Sequence, residues 1–300
     1  SSNRFKNIDM LAGYEYNYEV GKSYKLADEQ QYLSEIGLFA SSLFTHKKLN
    51  IQPSFRYIYN NKYKSAFTPA LHTKIDLNKT VQIRGSYARG FRTPTMKELY
   101  LQFIDQNHTI LGNPDLKPEI SDHYEIAIEK QFKHEKSTCT LSLNTFHNEI
   151  KNMISLAVFN NHGVLRKYSN IAQYNNWMAN TQAKWQNKHI TFGVGVGFIY
   201  VEKSSIIPQH NIVELTNNIS YSLLKYKTTF NFNYKFNSKQ PVITVDNQFL
   251  YTNPIHIANC SVQKSLFKNT LTCQVGLKNL LNIQNSTLNG SIDNTGGAHT

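Results

Sequence analysis

Several side chains capable of binding chemistry fall in the stretch from Arg92 to Asn113. Arg92 brings a planar guanidinium that matches carboxylate geometry. Tyr100 offers a phenol and His108 an imidazole, and both can ligate a metal. Phe103 adds an aromatic face, and Asn113 an amide beside Pro114. The rest of the chain supplies no reaction centre to accompany them. It has no Gly-x-Ser-x-Gly elbow, no phosphate-binding loop and no zinc-binding histidine pair. Cys139, Cys260 and Cys273 are odd in number and match no zinc spacing, so they read as buried or lipid-facing thiols. Glu125 and Glu129 share one face of a strand and are expected in charge networks with Arg84 or Lys74, not in catalysis. These residues point to recognition; an enzyme is not expected.

What positions them is a series of strands. Ile51, Pro53, Phe55, Tyr57 and Tyr59 alternate with Gln52, Ser54 and Arg56. Phe192, Val194, Val196, Phe198 and Tyr200 share a face, and so do Phe230, Phe232, Tyr234 and Phe236. Successive strand residues point to opposite faces, so each run has one apolar and one polar side. The pattern predicts about fourteen strands, near 8–18, 30–44, 49–59, 66–77, 81–89, 121–131, 138–149, 169–186, 188–201, 212–224, 226–236, 255–266 and 270–279, with one boundary open around 151–170. The connections alternate in length. Short links fall at 45–49, 77–80, 132–137, 186–188, 224–226 and 267–270; long ones fall at 19–30, 90–120, 151–169, 202–211 and 237–254, with a mid-sized link at 60–66. Outer-membrane barrels have short turns at one end and long loops at the other, strands of about ten residues and aromatic girdles. No run approaches the roughly 18 apolar residues of a membrane helix. The net charge of +12 is scattered, and no nucleic-acid recognition motif accompanies it.

Within the longest link, Phe91-Arg92-Thr93-Pro94 ends a strand, and Asn113-Pro114-Asp115-Leu116 followed by Lys117-Pro118-Glu119 leads into the next. This arrangement resembles the TonB-dependent receptors, whose boxes read Phe-Arg-Ala-Pro and Asn-Pro-Asp/Asn-Leu; here Thr93 replaces the usual Ala. Residues Val275 to Asn282 resemble the penultimate strand of the same family. The resemblance covers essentially the whole chain. It implies an all-β, antiparallel transmembrane β-barrel in the outer membrane of a Gram-negative bacterium. Residues 1–300 would be one domain contributing about fourteen strands of a barrel of about twenty-two. The family's plug domain and last strand are not seen in the sequence.

The resemblance also implies a ligand. Haem receptors of this family carry a histidine between the two boxes that ligates haem iron. His108 occupies that place, with Tyr100 as a second candidate and Arg92 as a partner for a propionate. His123 and His147 are expected to face the lumen, and His162 to lie in another long loop. The receptor would pass haem inward, driven by the TonB complex through the plug; a surface lipoprotein is a further possible partner. A siderophore or corrinoid receptor would use Phe103, Tyr100 and Arg92 and depend little on His108. A soluble all-β binding or adhesive protein would instead turn Phe192, Val194, Phe230 and Phe232 into a shared core. Prolines 94 and 114 and Leu116 have a plain alternative role as loop scaffold, because proline fixes φ and removes a donor.

Overall fold

The structure, a computed structural model, describes residues 8–26, 30–105, 109–158, 165–204, 207–243 and 249–283. In chain order the elements are β1 (Ile8–Lys22), β2 (Gln30–His46), β3 (Leu49–Asn60), β4 (Lys64–Asp76), β5 (Val81–Arg92), α1 (Met96–Tyr100), β6 (Gln102–Ile104), β7 (Thr109–Leu111), β8 (Glu119–His134), β9 (Ser137–Val158), β10 (Leu165–Asn187), β11 (Ile190–Val201), β12 (His210–Leu223), β13 (Thr228–Asn237), β14 (Pro241–Ile243), β15 (Phe249–Tyr251), β16 (Ile255–Leu266) and β17 (Leu271–Leu277). Thirteen of these follow one another in a single sheet: β1-β2-β3-β4-β5-β8-β9-β10-β11-β12-β13-β16-β17. Each neighbouring pair is antiparallel, from the β1–β2 pair to the β16–β17 pair. Each strand on this path hydrogen-bonds to the next one along it; antiparallel pairing of this kind satisfies a backbone in lipid once the sheet closes into a barrel with no free edge.

The apolar parity residues lie on the exposed face. Tyr14, Leu38, Phe55, Phe67, Ile126, Leu143, Phe192, Val194, Val196, Phe198, Phe230 and Phe232 are all exposed. Among the described residues they form a continuous band and no inter-sheet core, which rules out the soluble sandwich. The three thiols lie on this same face: Cys139 is opposite Trp185, Cys260 opposite Phe232, and Cys273 two residues from Val275. The band ends at a row of rings in one register line, Tyr87, Tyr124, His147, Trp177 and Tyr200. Tyr87 and Tyr124 are 5.2 Å apart, and His147 stacks on Trp177 at 4.0 Å. One step further along, the same face turns charged: Arg89 is opposite Asp122, and Asp122 opposite Glu149. An aromatic row below a charged row marks the upper membrane boundary. His147 thus belongs to the girdle and faces outward, not to the lumen as the sequence suggested; it shares its parity with Leu141 and Leu143. His123 does face inward, within reach of Asn148 and Glu125.

The inner face is polar. Arg56 bridges Glu15 at 2.9 Å. The inward carboxylates are satisfied by amides, not by Arg84 or Lys74 as expected. Glu129 accepts from Gln82 and Gln131, and Glu125 from Asn144, while Lys74 pairs with Asp76. Strand limits differ most at the top. The link expected at 151–169 is largely strand, because β9 continues to Val158 and β10 begins at Leu165. Residues 150–158 pair with β10 on both sides of a break at Asn152, so cross-strand bonding extends the hairpin where hydrophobic alternation has ended.

Candidate functional site

The link between β5 and β8 folds inward over the mouth of the wall. Its first turn is α1, nucleated by a capping box: the Glu98 amide donates to the Thr95 hydroxyl, and the Thr95 amide donates to the Glu98 carboxylate. The inner apolar face of α1 presents Met96 and Leu99. With Leu33 of β2 and Leu116 they form the buried cluster, flanked by Tyr63, Tyr100, Ile154 and Tyr168. Leu99 is fully buried and Leu116 nearly so. Met96 rests on Gly21 of β1, where a side chain would strike its sulfur. Gly112 lets the returning chain touch α1: a Cβ there would sit 2.5 Å from the Leu99 carbonyl carbon. Pro94 is buried too. The scaffold role of Pro94 and Leu116 is therefore what the structure shows.

Arg92 anchors this base. Its Nε and Nη2 donate to the two oxygens of Glu119 at 2.7 and 2.8 Å, and Nη1 donates to Glu98 at 2.9 Å. Two carboxylates around one guanidinium raise its pKa above the ordinary value. Burial pushes Glu98 and Glu119 up, but hydrogen bonds from Arg92, with Thr95 and Ile154 amides, outweigh it and hold both below the usual carboxylate range. Asn113 is a second staple. Its side-chain amide donates to the Tyr168 carbonyl, its Oδ1 accepts from the Asp115 amide, and its backbone N–H donates to the Glu98 carbonyl.

From this base β6 and β7 rise as a short antiparallel hairpin. Its two flanks are tied to opposite sides of the wall. Leu101 bridges to Leu26, and the Gln102 amide donates to the Lys25 carbonyl at 2.7 Å, on the β1–β2 side. On the other side β7 pairs in parallel with the upper end of β10, and Asn170 exchanges hydrogen bonds with the Lys117 backbone. The link is a chord across the concave face from β2 to β10. Tyr100 Oη accepts from Lys62 Nζ at 3.1 Å. The Lys25 ammonium lies 4.8 Å from the Phe103 ring centroid. Tyr63, beside Tyr100, has its phenol pKa pushed up by burial and by its neighbours Tyr100 and Glu98. His108, in the β6–β7 connection, and His162 lie outside the described residues.

The structure thus gathers Arg92, Tyr100, Phe103 and Asn113 into one loop. It gives Arg92 and Asn113 to the scaffold and leaves Tyr100 and Phe103 at the mouth. Lys25, Lys62, Glu98 and Glu119 are the partners that sequence reasoning missed. The Thr95-x-x-Glu98 spacing was the signal for one of them; the lysines lie in other links, and nothing local connects them to residues 100–103.

A single curling sheet, an outward apolar band with an aromatic girdle, and a polar inner face define an outer-membrane β-barrel. The family can be given more closely. A model described as TonB dependent receptor-like, beta-barrel matches residues 2–280, and the chain belongs to that family. Proteins of this kind reside in the outer membrane of Gram-negative bacteria. Among curated proteins, the chain is similar to the probable hemoglobin and hemoglobin-haptoglobin-binding protein 4 of Haemophilus influenzae, 25% identical over 201 residues, covering 65% of this chain and 19% of the relative. It is 33% identical over 128 residues to hemoglobin-binding protein A of the same species, covering 41% of this chain and 12% of that protein. Among solved structures, the siderophore receptor PirA from Pseudomonas aeruginosa aligns with a TM-score of 0.67 at 14% identity, over 92% of this chain and 48% of its own. The FrpB iron transporter from Neisseria meningitidis aligns with a TM-score of 0.67 at 11% identity, over 94% and 49%. These two establish the fold alone. The chain spans about half the length of these solved receptors and a fifth or less of the curated relatives.

Proposed function

We propose that residues 1–300 form one portion of a single barrel in a receptor for active uptake of an iron-containing ligand, with haem the best-supported cargo. The observation that carries this reading is the inward link: a packed, ion-clamped base at the extracellular mouth holds a hairpin whose connection contains His108. An imidazole on such a base is a suitable axial ligand for haem iron. Phe103 lies in that hairpin and Tyr100 just ahead of it, and both would contact the porphyrin. Arg92 and Asn113 act on the ligand through the base; a propionate would have to displace Glu98 or Glu119 to reach Arg92. Support comes from relatives named for binding hemoglobin. No covalent chemistry is required. Energy would reach the receptor from the TonB complex through a plug, and outer-membrane lipid would surround the band.

A siderophore reading is favoured by one observation, the cation–aromatic pairs at Tyr100 and Phe103, which would suit an anionic aromatic chelate. Growth separates the two. Cells lacking other haem receptors, and expressing the full-length protein, should grow on haemin as sole iron source only when TonB is present. Growth on ferric siderophores but not on haemin would overturn the haem reading.

A further inference from the structure

The proposed uptake of haem leaves open which cations meet the two carboxylates of the porphyrin. Arg92 is not free for this, since Glu98 and Glu119 enclose it and leave the trio with a net negative charge. Two other cations border the same segment. Lys25, from the β1–β2 link, lies 4.8 Å from the Phe103 ring centroid and 5.6 Å from that of Tyr24. Lys62, from the β3–β4 link, lies 4.8 Å from the Tyr100 ring centroid and 5.7 Å from that of Tyr63, and donates to the Tyr100 hydroxyl. Both side chains are half-buried, and among the described residues neither forms an ion pair with a carboxylate.

A lysine whose stem is partly covered keeps its charged end accessible, and that end is steadied either by a carboxylate or by an aromatic face. Here aromatic faces stand in, and they attract a cation without neutralising it. The pairing leaves two positive ends, positioned on Tyr100 and Phe103, three residues apart on the proposed haem-contacting segment. We infer that Lys25 and Lys62 are the anion-binding groups of the site, receiving the propionates of a porphyrin that lies against Tyr100 and Phe103. This assignment rests on the haem reading. It makes the aromatic rings serve twice, as contacts for the macrocycle and as supports that fix the ammonium groups before the ligand arrives, which reduces the ordering cost of binding.

The test is a haemin titration of the full-length receptor in detergent at low ionic strength, followed in the Soret band, with K25Q, K62Q and the double variant. The dimethyl ester of iron protoporphyrin, whose carboxylates are uncharged, is titrated in parallel. The expected result is a loss of about tenfold in haemin affinity for each lysine, as for other charge-assisted contacts. Parent protein should bind the ester as weakly as the double variant binds haemin, and the glutamine substitutions should leave ester binding unchanged. The K25R and K62R variants should retain haemin affinity. If haemin binds the double variant as tightly as the parent, or if haemin and ester lose affinity equally, the lysines only support the loop and the assignment falls while the haem reading stands. Should the double variant fail to fold, equal affinity of parent protein for haemin and ester overturns the assignment by itself. A parent protein that binds neither overturns both.

Discussion

The wall and the mouth link are held together by different physics. The wall has strand-to-strand hydrogen bonds throughout, yet few of its side chains are buried within the chain; its outer band is exposed and its solvent is lipid. The link has little regular structure but holds a packed cluster, with Leu33, Met96, Leu99 and Leu116 sealed beneath an ion clamp. The wall can therefore tolerate exchange of one apolar side chain for another, provided its parity survives. The link depends on individual shapes and charges. A rigid wall with a separately stabilised link suits a receptor whose ligand contacts must be placed accurately on a fixed frame.

The largest expected effect is on the wall. Val196 faces outward mid-strand, so Val196→Arg should destabilise the folded barrel by roughly 2–4 kcal/mol, whereas Asn180→Lys on the inner face should cost less than about 1 kcal/mol. Unfolding of the full-length receptor in lipid checks the pair; equal costs would mean that the faces are misassigned. Next comes the cluster. Leu99→Ala should cost the link on the order of 3 kcal/mol, seen as faster amide exchange across 93–118 with β11–β13 unchanged. Arg92→Gln follows, at about 2 kcal/mol, a value between exposed and buried ion pairs because Arg92 itself is partly exposed. It should also speed proteolysis within the link. Gly112→Ala should loosen the same segment by roughly 1–3 kcal/mol, since its Cβ meets backbone that cannot rotate away.

The smallest effect is on pH. Glu98 and Glu119 are held below the ordinary carboxylate value of 4.5 in the folded link. A depressed folded pKa stabilises the link fully above the ordinary value and is lost as pH falls through the lowered one. Exchange in 93–118 should thus be insensitive to pH near neutrality, once intrinsic exchange is corrected for, and should rise below about pH 4.5. Arg92→Gln should abolish most of that rise.

The wall was legible in the sequence because alternation is a local signal with period two, and lipid enforces it residue by residue. The places it misread are those where another rule takes over. His147 was expected in the lumen, but its register opposite Tyr124 and Trp177 sets its face. The upper halves of β9 and β10 lie above the membrane, where cross-strand bonds suffice and alternation is no longer required. In the site, the two boxes located the link, while the capping spacing of Thr95 and Glu98, which marks its helical turn, was not read. The roles of Arg92 and Asn113 were not legible, since Glu119, Tyr168 and Asn170 meet them only after folding. Lys25 and Lys62 lie 75 and 38 residues from Tyr100 in sequence and reach residues 100–103 solely through the chord that the link makes.

The central claim is that this link presents a haem ligand at the mouth of an outer-membrane receptor. Haemin titrated into the full-length protein in detergent, alongside His108→Ala, tests it most directly. A saturable Soret shift in the parent that is lost or strongly weakened in the variant is the predicted result. A parent protein with no saturable shift, or a variant whose spectrum and affinity match the parent's, would contradict it.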